Sequence, residues 1–300
     1  MKPFFMRLLS ILLISTCLPA SAAGADTLQR IQNSQRFTIG FVPDYAPFSD
    51  GDAQSAQGYT VELCQQIGER LKQQLQLPDL QVGYQPVAIQ DMLSAVTSGR
   101  VDILCSPIDE TLTRREQVSF SLPVFISGLA VIMRRDAPAV LQERVKHGPA
   151  EATPLWRGNI GQQLDKFTFA VLGSSHSAEW VQQRLRQLGL KSRVVTANNT
   201  AEGIHMVSTG QADAFFDDRM VLLNYVAQET DGEKLIVPER LFEETPAALA
   251  LSRNDEDFRL LVDRSISSLL NSPQGEALYQ RHFGEPSEQT RLLFHLYPQP

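Results

Sequence analysis

Apolar residues along the chain follow two spacings: short runs that read as buried strands, and stretches in which they recur every three or four positions. Phe37–Val42 predicts a strand, and Thr60 stands where it can cap a helix carrying Val61, Cys64, Ile67 and Leu71 on one face. A strand around Val82–Val87, a short helix from Asp91 to Ser98 stopped by Gly99, and a strand ending at Cys105 complete one α/β unit. A second unit repeats the plan. Phe169–Leu172 reads as a strand, Ser175 as the cap of a helix bearing Trp180, Val181, Leu185 and Leu188, and Arg193–Thr196 as the next strand. A helix from Thr200 to Gly210 then leads into a strand over Ala212–Phe216. The echo extends to the letters, T-S-G-R-V-D-I-L at 97–104 against S-T-G-Q-A-D-A-F at 208–215. Two such α/β units predict two lobes, each a doubly wound sheet, with a cleft between them.

Candidate chemistry falls at the ends of these strands. After Val101, Ile103 and Leu104 the chain turns around Pro107 and presents Arg114 in a polar segment, followed by the exit Ser119-Phe120-Ser121-Leu122-Pro123. This delivers a guanidinium to the carboxyl end of a strand, where open α/β sheets bind ligands, and Arg can take a carboxylate through two parallel hydrogen bonds. A surface Arg in a charged turn is the alternative. Gly173-Ser174-Ser175-His176 puts free N–H groups at a helix start, a site suited to a carboxylate, although Ser175 can equally serve only as a cap. Asp217-Asp218 stands at another helix start, where Asp is a favoured cap.

The strand, the turn, T-x-x-R at 111–114 and Q-V-S-F-S at 117–121 together resemble the periplasmic polar-amino-acid-binding proteins of ABC importers. The resemblance runs from Phe37 to about Phe283 and is nearest to the glutamate/aspartate-binding branch, through Asp79-Leu80-Gln81-Val82, Cys105 and Asp217-Asp218. It implies a two-lobed α/β fold of the periplasmic-binding-protein type II class with a two-strand hinge. Lobe one would comprise 36–125 plus 247–284, lobe two 126–246, and 285–300 a C-terminal tail. Ile126–Met133 and Ala247–Ser252 would be the crossing strands, with helices Asn254–Leu270 and Pro273–Phe283 returning to lobe one and Arg135–Gly161 forming a loop-like excursion.

The same resemblance assigns the ligand's carboxylate to Arg114 and its ammonium to Asp218, with Asp217 as cap or surface carboxylate. Tyr45, in Asp44-Tyr45-Ala46-Pro47-Phe48, becomes a wall of the cleft; Ser106, Asp109, Ser174, Ser175 and Thr200 are further ligand-binding candidates. Several positions depart from the family pattern. Met92 and Thr200 stand where the acidic-ligand branch has a side-chain-reading Arg and a His, and Val42 and Ile89 where the basic branch has an acidic residue and an aromatic lid. Pro107 has no N–H to offer a carboxylate. Asp109 either pairs with Arg114 or meets a polar or cationic ligand group.

Composition adds compartment and partners. Lys2 and Arg7, the apolar run Leu8–Leu18 and Ala20-Ser21-Ala22 form the pattern of a secretory signal peptide over 1–22. Removing those residues leaves 25 basic against 34 acidic residues, a balance that disfavours nucleic acid and anionic membranes. Of the remaining cysteines, Cys64 and Cys105 are predicted to form a disulfide in that oxidising compartment; two buried thiols are the alternative. The five His are scattered, and neither a metal nor a cofactor is expected. The expected protein is a monomeric periplasmic receptor that captures a small polar ligand, an amino acid, and presents it to an ABC-importer permease. One alternative is a receptor reporting to a membrane sensor. Another is a dehydratase-type enzyme with Asp109 as proton donor; Gly173–Ser177 lacks the second glycine of a nucleophile elbow.

Overall fold

The computed structural model describes residues 26–147, 164–228 and 232–299. The expected signal peptide lies outside these residues. Along the chain the elements are α1 (Thr27–Ser34), β1 (Arg36–Phe41), α2 (Tyr59–Gln74), β2 (Gln81–Pro86), α3 (Met92–Thr97), β3 (Ile103–Asp109), α4 (Leu112–Arg115), β4 (Ser119–Phe120) and β5 (Phe125–Arg134). Then follow α5 (Ala139–His147), β6 (Thr168–Leu172), α6 (His176–Leu188), β7 (Arg193–Ala197), α7 (Thr200–Ser208), β8 (Ala214–Asp218), α8 (Arg219–Gln228) and β9 (Leu235–Ile236). The chain closes with β10 (Glu243–Leu251), α9 (Glu256–Leu270), α10 (Pro273–Phe283) and α11 (Glu288–Leu296).

The strands form one sheet in the order β2-β1-β3-β10-β5-β8-β6-β7. Its two flanks are parallel, β2-β1-β3 and β8-β6-β7. Antiparallel β10 and β5 run between them and join the two lobes. Each lobe is covered on both faces. Phe37, Ile39, Leu63, Ile67, Phe258 and Ile266 pack one face of the first lobe, and Ala95, Val96, Val101 and Leu104 the other. In the second lobe Ile132, Ile204, Phe215 and Leu222 oppose Val131, Phe169, Val181 and Phe216. Gly203 lets α7 lie directly on this sheet, since a Cβ there would stand 2.4 Å from the Phe215 ring.

The repeated motif has a structural meaning. Asp102 accepts from the Thr38 N–H at 2.6 Å, and Asp213 accepts from the Thr168 N–H at 2.8 Å. In each lobe the Asp just before the strand pins the neighbouring parallel strand, the role shared by the Asp of G-x-x-D at 99–102 and at 210–213.

Several elements differ from the expectations. β3 does not turn at Pro107 but runs on to Asp109. The β10·β3 pairing shifts register between Ala248 and Ala250, so no ladder bond is asked of Pro107. The α2 cap is Gly58, not Thr60. The Thr60 hydroxyl instead bonds the carbonyls of Phe48, at 2.9 Å, and Cys105, at 2.6 Å. The Arg135–Gly161 segment contains α5, and the part from 148 lies outside the described residues. The tail forms α11, whose Leu293 and Phe294 are buried, with Phe294 edge-on to Tyr279 at 5.5 Å.

Cys64 of α2 and Cys105 of β3 are disulfide-bonded, with Cα atoms 6.3 Å apart and a sequence separation of 41. A loop of that length stabilises by about 4 kcal/mol in the chain-entropy model, or roughly 8–15 °C in Tm for a chain of this size. Cys105→Ala is expected to lower Tm by that order in thermal unfolding, and reduction of the wild type should reproduce the loss.

Candidate functional site

β3 and β8 both end at the cleft between the lobes, and the hinge strands form its floor. Val42, Ile89 and Met92 of the first lobe pack in the same apolar cluster as Leu172, Ala197 and Ile204 of the second, so the lobes are closed on each other. The cavity left between them, open on one side, offers about 70 Å³ to the centres of water-sized molecules. That is room for about five waters or one compact solute, at ~10–15 Å³ per water centre.

Of the sequence candidates, Tyr45, Ser106, Asp109, Arg114, Ser175 and Asp218 line this cavity. Ser174 and Thr200 are not part of its lining. Arg114 is held by its own main chain, whose N–H donates to Thr111 Oγ1 at 3.2 Å, and its Nη1 donates to the Asp109 carbonyl at 2.9 Å. The Asp109 carboxylate does not neutralise it: Asp109 Oδ1 accepts from Thr245 Oγ1 at 2.6 Å, and the two residues form no ion pair. The other Arg114 N–H groups have no acceptor among the described residues.

The Ser106 hydroxyl receives the Val42 N–H and bonds Ser49 Oγ, both at 2.7 Å, so it fixes the loop that carries Tyr45. Tyr45 stacks on Phe48 with ring centroids 5.8 Å apart. Burial holds its phenol well above the usual range, and the charges of Asp217, Asp218 and Asp109 add to that. Ser175 caps α6 by accepting from the Ala178 N–H at 3.2 Å. The N–H groups of His176 and Ser177 then face the cavity end of the helix with no acceptor among the described residues.

Both adjacent aspartates are buried and line the cavity, and the cap falls to Asp218. Asp218 is the cap of α8, Oδ1 accepting from the Met220 N–H at 2.7 Å, while Oδ2 accepts from Ser127 Oγ at 2.7 Å and the Gly128 N–H at 3.3 Å. Asp217, expected as cap or surface carboxylate, is only 4 % exposed and also lines the cavity. Its Oδ2 accepts from Thr200 Oγ1 at 2.7 Å, so Thr200 acts on the site through Asp217. Burial pushes Asp217 up to about 7 and Asp218 up to about 6; the hydrogen bonds each receives oppose this, and neighbouring carboxylates add to it.

Lining residues that the sequence reading did not offer as ligand partners include Ser127 on β5, Glu243 and Thr245 on β10, and His176 at the start of α6. His176 Nε2 bonds Glu243 Oε2 at 2.8 Å, and its Nδ1 is buried without a partner. The Gly-Ser-Ser-His turn contained the signal for His176. No local pattern marks the β10 residues, because the pairing of Glu243 with Leu129 and Thr245 with Ser127 decides which of them face the cleft.

A cavity between two α/β lobes, lined by cationic and acidic side chains that converge from beyond the strand ends and floored by a two-strand crossing, defines a two-lobed solute receptor. The pattern that characterises bacterial extracellular solute-binding proteins, family 3, matches residues 37–285, and the chain belongs to that family. The glutamate/aspartate import solute-binding protein of Salmonella typhimurium is 24% identical over 271 residues, covering 89% of this chain and 82% of that protein. The L-cystine-binding protein of Escherichia coli strain K12 is 22% identical over 280 residues, 93% of this chain and 94% of that one. Among solved structures, an ancestral amino acid-binding protein described as a precursor of cyclohexadienyl dehydratase superposes with a TM-score of 0.68. It is 22% identical, and the match covers 86% of this chain and 99% of that one. The fold is that of the type II periplasmic binding proteins.

The buried aspartates carry a pH signature. Their folded-state values lie above the ordinary 3.8, so the folded protein binds more protons than the unfolded chain, and stability present below about pH 4 is lost as pH rises through about 6 and 7. Tm of the unliganded protein is expected to fall across that window. Asp217→Asn should flatten the fall, as measured by thermal unfolding in a pH series.

Proposed function

We propose that this protein is an exported periplasmic receptor that captures a small amino acid or related amino-bearing solute between its lobes and presents it to an ABC importer. One observation carries this reading: Arg114 on α4, the short helix that follows β3, and Asp218 at the end of β8 line the same cavity from opposite lobes. An amino acid is a zwitterion whose two charges match these two ends. The guanidinium and the free N–H groups at the start of α6 take the carboxylate, while Asp217 and Asp218 take the ammonium. Residues 36–125 with 247–284 act as lobe one, 126–246 as lobe two and 285–300 as a tail packed on lobe one; the course of the chain through β5 and β10 supports this division.

The mechanism follows from the division of charge. In an open form each lobe offers half of the ligand's partners to water. Closure brings both halves together and excludes water, which strengthens each interaction. Ligand therefore shifts the population toward the closed form, the state an importer can distinguish by shape. The family supports a binding protein and not an enzyme, since its members are described as solute-binding proteins.

A thermal-shift screen of the secreted protein against the common amino acids tests this. Ligand at a hundred times its Kd is expected to stabilise by about 2.7 kcal/mol, roughly 5–10 °C in Tm for a chain of this size. Arg114→Ala should abolish the shift without changing the fold by circular dichroism. No shift with any amino acid, amine or small organic acid would reject the receptor reading.

A further inference from the structure

The acidic side of the cleft holds more charge than one ammonium needs. Asp109, Asp217, Asp218 and Glu243 all line the cavity, against the single guanidinium of Arg114. They fall into two groups across the hinge. Asp217 and Asp218 sit at the end of β8, with Asp218 anchored by Ser127 of β5. Asp109 sits at the end of β3, anchored by Thr245 of β10, and Glu243 lies two positions from Thr245 on the same face of that strand. Thr245 and Ser127 are directly paired across β10 and β5, so the two anchors meet at the middle of the floor and the carboxylates stand on either side of them.

The second group has charge to spare. Asp109 has one hydroxyl donor and no ion pair, and Glu243 is met by His176 alone. A zwitterion bound between Arg114 and the β8 aspartates would leave these two half-buried carboxylates beside the ligand with no cationic group of the ligand to meet them. An acidic side chain on the ligand would make it worse. A second cationic group would resolve it, and the small cavity places that group only a few bonds from the first.

We propose that Asp109, Thr245 and Glu243 form a subsite on the hinge strands for a second cationic group, so that the solute is a compact molecule carrying two amino groups, a short diamino acid or diamine. This rests on the receptor reading and specifies its ligand. His176, by holding Glu243, positions the subsite from lobe two and makes its completion depend on closure.

The experiment is isothermal titration of the secreted protein with a chain-length series, 2,3-diaminopropionate, 2,4-diaminobutyrate, ornithine and lysine. Alanine, glutamine and glutamate serve as comparisons, and 1,3-diaminopropane lacks the carboxylate. The diamino acids are expected to bind at least tenfold more tightly than alanine or glutamine, and glutamate most weakly. Glu243→Gln and Asp109→Asn should each weaken the diamino acid by about ten- to hundred-fold, the scale of a lost hydrogen bond to a charged group, with little change for alanine. If one variant fails to fold, the other decides. Tighter binding of glutamate or a neutral amino acid than of every diamino compound overturns this proposal and leaves the receptor reading intact. So does an unchanged diamino-acid Kd in a folded variant. Binding of none of the series, in a protein whose Tm responds to no amino acid, removes both.

Discussion

The structure hangs on the antiparallel pair β5·β10. These two strands are the route between the lobes, and each must keep its main-chain groups paired while crossing, which they do with each other. Pairing also sets the floor of the cleft. The two-residue period of a strand turns Ser127, Thr245 and Glu243 toward the cavity together, and a slip of one residue would turn them all away. Because Ser127 holds Asp218 and Thr245 holds Asp109, the same pairing orients a carboxylate at the mouth of each lobe. The hinge is thus part of the binding site.

Closure sets the energetics of that site. Val42, Ile89, Met92 and Leu172 form an apolar rim across the lobes around a cavity whose charged lining is mostly acidic. Hydroxyls from Thr200, Ser127 and Thr245 and the N–H groups of Gly128 and Met220 donate to the aspartates, yet burial still raises Asp217 and Asp218 well above ordinary carboxylates. An unliganded closed cavity therefore favours protons on these groups, and a cation from the solute can replace those protons.

The outer framework was legible because it depends on local chemistry. Helical and strand periodicity, Gly99, Gly189 and Gly210 at helix ends and the Ser175 cap all act within a few residues, and each is found in the structure. Pro107 shows the limit of such rules: proline normally ends a strand, but a shift in the partner strand's register removed the hydrogen bond it could not make. Asp217 and Asp218 show another. Both carry a cap's chemistry, and only the packing of β8 against α7 and β5 gave the cap to Asp218 and buried both carboxylates.

The sequence by itself determined that the chain forms two α/β lobes with Arg114, Tyr45 and Asp218 at their strand ends, because those features follow from periodicity and from motifs contiguous in the chain. Tertiary structure alone decided that Glu243 and Thr245, more than a hundred residues after Arg114, would share its cavity, and that Ser174 would not. The physical reason is that side-chain direction on a strand depends on which residue it pairs with, and the partner of β10 in the hinge is fixed only when both lobes have folded around it.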